Sequence, residues 1–127
     1  MMRMTGYLLL SLLLLPTIAQ GMSAQQLQQA LQAGDELTLI DVRSRNEYRR
    51  GHIPGAINIQ AILMPRKQLP PLGRVVVYGD GIDTQATRQA LAALNTKPGI
   101  EAEMLIGGYA AWESGSRANT RGRGMRK

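Results

Sequence analysis

Hydrophobic positions along the chain switch between two spacings, and each switch marks an element. After Ser23-Ala-Gln-Gln26, which has the capping-box form, Leu27, Ala30 and Leu31 recur at helical spacing, and Gly34 stands where a left-handed cap is wanted. Leu37–Val42 then reads as a mostly apolar strand, Asn46–Arg50 as a helical turn, Gly51–Gly55 as a loop and Ala56–Ile59 as a brief strand. Ala61–Gly73 holds three of the six prolines and reads as mostly irregular. Arg74–Tyr78 is rich in β-branched residues, which suits a strand buried on both faces. Asp83–Leu94 follows as a helix with Ala86, Ala90, Leu91 and Leu94 on one face, stopped by Asn95 and Pro98-Gly99. Glu103–Ile106 is a further apolar strand, Gly107-Gly108 a turn and Tyr109–Glu113 a last helical turn. Strand and helix alternate through short connections. The pattern predicts an α/β fold, a small, mainly parallel sheet with helices on both faces.

Composition changes this picture at both ends. In 127 residues one domain is expected, and with no Phe its core has to be built from Leu, Ile, Val, Ala and Met. Residues 1–19 read as a signal peptide: a positive start at Arg3, an apolar run Tyr7–Leu15, Pro16, and small residues before a cut after Ala19 or, second, after Gly21. The apolar run is shorter than the roughly 20 residues that span a bilayer. Residues 20–116 form the expected domain, exported and periplasmic or secreted. The net charge of +6 belongs to the ends, because nine basic and nine acidic side chains balance between Gln20 and Ser116. Residues 117–127 carry Arg117, Arg121, Arg123, Arg126 and Lys127 with almost nothing apolar, so they read as a basic, disordered tail. Such a tail is either a solvated extension or a weak contact for anionic surfaces such as phospholipid or envelope polysaccharide. Interleaved aromatics are lacking, so no specific nucleic-acid partner is expected.

Two segments resemble a known family. Leu39-Ile-Asp-Val-Arg43, Glu47-Tyr48 and Gly51-His-Ile-Pro-Gly-Ala-Ile-Asn-Ile59 are similar to the first signature of the rhodanese-like domain, and Met104-Leu-Ile-Gly-Gly-Tyr-Ala-Ala-Trp112 is similar to its closing signature. The resemblance spans roughly Ser23 to Gly115. It implies that the strand Val75–Tyr78 should end in a catalytic cysteine wrapped by a loop of backbone N–H groups. This chain has no Cys anywhere. Gapless register puts Gly79 at that position, whereas alignment by Ala90 in the following helix puts Asp80 there.

Zero cysteines excludes disulfides, a thiolate zinc site, a lipid-modified Cys and any persulfide intermediate. The expectation is therefore a catalytically inactive rhodanese-like domain that serves as an exported binding or accessory module, with an unidentified protein partner in the cell envelope and no cofactor or metal. Its vestigial active-site loop would be Gly79, Asp80, Gly81, Ile82, Asp83 and Thr84. Asp83 reads as the N-cap of the next helix, and Asp80 as a carboxylate that folds into the anion cradle at the helix N-terminus. Asp41, Arg43, Glu47 and His52 are expected to brace loops through hydrogen bonds and ion pairs. The alternative is an enzyme of the same family that uses Asp80, Asp83 or His52 in the retained pocket. Tyr109 and Trp112 are expected to close the core.

Overall fold

The computed structural model describes residues 21–82 and 84–124, with side chains to 122; the expected signal peptide and Asp83 lie outside the described residues. Five strands form one sheet: β1 (Gly21–Met22), β2 (Thr38–Asp41), β3 (Ile57–Asn58), β4 (Gly73–Tyr78) and β5 (Ile100–Leu105). Their order is β1-β5-β4-β2-β3, and every pair is parallel. The central strand β4 needs residues that are apolar on both faces, and Val75, Val76, Val77 and Tyr78 are all fully buried.

Alternation along the strands divides the core into two clusters. Ile40, Val75, Val77 and Ile100 point to one face, where helix α3 (Gln85–Asn95) brings Ala90 and Leu94 and a 3₁₀ turn at Ala61–Arg66 brings Met64. Leu39, Val76, Tyr78 and Leu105 point to the other face. There α1 (Ala24–Gln32) contributes Leu27, α2 (Arg45–Arg50) contributes Tyr48, and α4 (Gly108–Gly124) contributes Tyr109 and Trp112. The α/β class and helices on both faces thus agree with the sequence pattern, and the sheet is wholly parallel.

Local rules account for the helix ends. The Ser23 hydroxyl accepts from the Gln26 N–H while the Gln26 side chain accepts from the Ser23 N–H, completing the capping box. Gly34 follows α1 at φ +76°, the left-handed region that glycine enters without strain.

Four expectations are corrected. The strand expected from Glu103 begins at Ile100, because it pairs with β4 from Gly73 onward. Ala86 is exposed, and the buried stripe of α3 runs through Thr87, Ala90 and Leu94 instead. Residues 61–66 form the 3₁₀ turn rather than irregular chain. The region 117–124, expected as a disordered tail, continues α4. Its first half is anchored on the core by Tyr109 and Trp112, which removes the nucleation penalty for the turns beyond. Arg117 pairs with Glu113 one turn back, and the Asn119 amide donates to Gln28 of α1.

Candidate functional site

The carboxyl ends of parallel strands are where α/β folds place their sites, and the sequence-selected residues collect there. Asp41 ends β2 with its side chain fully buried, and a buried carboxylate requires a cation and further donors. Arg43 supplies both. Its Nε and Nη2 reach the two carboxylate oxygens at 2.8–3.2 Å, and its backbone N–H donates to Oδ1 at 2.9 Å. Nη2 also donates to the Gly51 carbonyl at 2.7 Å, which ties the loop after α2 to the end of β2. The guanidinium lies 4.2 Å from the Tyr109 ring centroid and 5.9 Å from that of Tyr78, so one cation joins β2, β4, α4 and the 51–55 loop. Burial works to lower the Arg43 pKa, but the Asp41 hydrogen bonds and charge outweigh it and the pKa is raised.

Tyr78 completes this node from β4. Its hydroxyl accepts from the Ile53 N–H at 3.1 Å. Burial, first of all, pushes the phenol well above its ordinary value of 10, against the Ile53 N–H and the Arg43 charge. Asn58 of β3 donates to the carbonyls of Asp41 and Arg43, both at 3.0 Å. Sequence reasoning did not single out Tyr78 or Asn58 for this node. The only available signal was a polar-tipped residue at the carboxyl end of each strand.

Glu47 and His52 sit apart from the node's hydrogen bonds. The Glu47 carboxylate accepts from the Ser44 hydroxyl at 3.0 Å, and Ser44 in turn accepts from the Glu47 N–H at the start of α2. His52 is exposed, with Nδ1 2.8 Å from the Tyr48 carbonyl and its ring stacked on Tyr48 at 3.8 Å between centroids. Tyr48 itself donates to the Ala56 carbonyl at 2.6 Å.

The loop after β4 is closed from two sides. Gly79 is buried, and a Cβ there would collide with the hydroxyl of Thr87 in the first turn of α3. On the other side the loop lies against the Gly107-Gly108 turn. A Cβ on Gly81 would collide with the Gly107 carbonyl, and one on Gly108 would lie 2.6 Å from both the Gly79 carbonyl oxygen and the Gly81 nitrogen. Only glycines permit that approach at the positive φ of +98° at Gly81 and +56° at Gly108. The Tyr109 N–H donates to the Gly79 carbonyl at 2.8 Å and the Ala110 N–H to the Asp80 carbonyl at 3.2 Å, so the loop itself takes up donors at the start of α4. The Asp80 carboxylate accepts from the Ile82 N–H at 2.8 Å, a turn closed within its own loop. Ile82 stands at the tip, 89% exposed. The N-cap position of α3 falls to Thr84 without a side-chain cap bond; Asp83, expected there, is outside the described residues. Among the described residues no three of His, Cys, Asp or Glu are grouped to hold a metal ion.

Comparison with known proteins gives one family. Residues 23–115 match the Rhodanese-like domain. Among solved structures, the chain is similar to the rhodanese-like domain of a protein from Anabaena sp. (31% identity, 75% of this chain and 74% of that one, TM-score 0.63). It is similar also to a human single-domain sulfurtransferase (25% identity, 76% and 96%, TM-score 0.64). A protein from Bacillus halodurans shares the fold (23% identity, 80% and 77%, TM-score 0.68). Among curated proteins nothing matches.

Proposed function

The chain belongs to the rhodanese-like domain family, and from that premise we propose that it is an inactive member, an exported module that works by binding rather than by sulfur transfer. The observation that carries the reading is chemical: no residue of the 127 is a cysteine. Persulfide chemistry needs a thiolate that attacks the donor sulfur, releases the leaving group and holds the transferred sulfur until an acceptor takes it. Neither glycine nor aspartate at positions 79 and 80 can form that bond. The geometry of the loop supports the same reading, since Thr87 fills the space beside Gly79, the 107–108 turn abuts Gly81, and Asp80 takes the Ile82 N–H.

The enzymatic alternative rested on Asp80, Asp83 or His52, and two of the three are engaged elsewhere. His52 is bound to the backbone of α2 and stacked on Tyr48, while Asp80 is folded onto its own loop. The Asp41–Arg43–Tyr78 node fixes the strand ends and the loops above them, a frame that a binding module needs as much as an enzyme does. Export, followed by contact with a protein of the cell envelope, rests on the character of residues 1–19, and the basic residues beyond Ser116 add an attraction for anionic surfaces.

Sulfur transfer is the direct test. Protein beginning at Gln20, given thiosulfate and cyanide, should produce thiocyanate no faster than buffer does. A turnover that survives repurification and is lost in Asp80→Ala or His52→Ala overturns the proposal.

A further inference from the structure

We propose that the cleft between α1 and α4 binds a neutral saccharide. This deepens the binding-module reading and rests on it, but the site lies away from the loop after β4, so its test is independent of the sulfur-transfer assay. The cleft has a volume of about 830 Å³, within the usual range for ligand sites. Gln25, Gln28, Gln29 and Gln32 line it from α1. From α4 come Trp112, the hydroxyls of Ser116 and Thr120, and the Asn119 amide. Not one lining residue is charged, in a protein of net charge +6.

That chemistry selects a ligand class by elimination. An anion calls for cationic side chains and a metal ion for carboxylates; the lining offers neither. An apolar molecule would cover the glutamine amides without returning their hydrogen bonds. A saccharide meets both demands. Each of its hydroxyls donates and accepts, as each amide does through its NH₂ and carbonyl, and the C–H face of a sugar ring can lie on an indole. The Asn119 amide donates to Gln28 Oε1 at 2.9 Å, which sets the two helices in register and orients the remaining Gln28 Nε2 and Asn119 Oδ1. Among the described residues the side chains of Gln25, Gln29 and Gln32 have no protein hydrogen-bond partner. Small residues keep the trough open: a Cβ built on Gly115 or Gly122 meets nothing within 4 Å.

Trp112 is the only tryptophan and lines the cleft, so its fluorescence reports on binding there. Protein beginning at Gln20 is titrated with maltotriose, cellotriose and triacetylchitotriose, with glycerol and a pentaglutamine peptide as controls. At least one sugar should shift the emission saturably. Gln28→Ala and Gln29→Ala should each weaken that response by about tenfold, the equivalent of one lost hydrogen bond, without lowering the melting temperature enough to unfold the protein during titration. The proposal is overturned if none of the three sugars shifts the emission at millimolar concentration or if both variants respond like the parent. It is overturned equally if the peptide alone produces the shift, which would make the cleft a peptide groove.

Discussion

At the scale of single residues, the strongest statement concerns Asp41 and Arg43. With the Asp41 side chain fully buried and that of Arg43 only 8% exposed, removing the cation strands a carboxylate where water cannot reach it. Arg43→Leu should therefore cost about 3 kcal/mol of stability. Asp41→Asn in the same chain should restore part of that loss, since a neutral amide is easier to bury than an unpaired charge. Denaturant melts of the two variants check this, and equal stability of Arg43→Leu and the parent would show the pair to be dispensable. Tyr78 adds a dependence on pH. Its phenol holds its proton above the ordinary value of 10 in the folded state, so the unfolded chain loses that proton first. Stability from this group is fully present below pH 10 and drains away as pH rises from there through the folded-state pKa. Tyr78→Phe should melt with a shallower decline over that alkaline range than the parent, and parallel curves would contradict it. Asp41 and Arg43 were legible because they sit two residues apart at a strand end. Thr87, which fills the space beside Gly79, was not, because that contact joins β4 to α3 across a turn and depends on how the helix is rotated.

Elements were legible where one force decided them. The Val-Val-Val-Tyr run of β4 could only be a strand buried on both faces, and the cap before α1 was written in Ser23 and Gln26. The misreadings came where tertiary contact overrules local composition. β5 opens with Ile100-Glu-Ala, a weak strand sequence that β4 recruits by pairing. The end of α4 is Gly- and Ser-rich, yet its turns extend from the anchored Tyr109 and Trp112. That helix should respond to propensity. Gly115→Ala adds a methyl with nothing within 4 Å of it and removes backbone entropy from the unfolded chain, so it should stabilise the protein by up to about 1 kcal/mol. Helical circular dichroism and thermal melts read the effect. No gain in either would place the end of α4 outside the cooperative unit.

For the molecule as a whole, the edge of the sheet bears on how the chain would be processed. The sequence offered two cuts, after Ala19 and after Gly21, and they differ in what they leave of β1. Gly21 pairs with Met104 and Met22 with Leu105, the Ile106 N–H donates to the Met22 carbonyl at 2.8 Å, and the Met22 side chain is 7% exposed. A cut after Ala19 leaves this strand whole. A cut after Gly21 leaves a charged amino terminus on Met22, at the point where the backbone enters the sheet. Export with cleavage therefore predicts a mature protein that starts at Gln20, and N-terminal sequencing from the native host should find it; a start at Met22 or an intact Met1 would contradict it. The energetic half of the argument has its own test. Protein beginning at Ser23 gives up the burial of Met22, about 1.5–3 kcal/mol, which in a domain of this size lowers the melting temperature by roughly 4–8 °C for each kcal/mol. If chains beginning at Gln20 and at Ser23 melt together, β1 contributes nothing to the fold and the sheet edge exerts no selection on the cut.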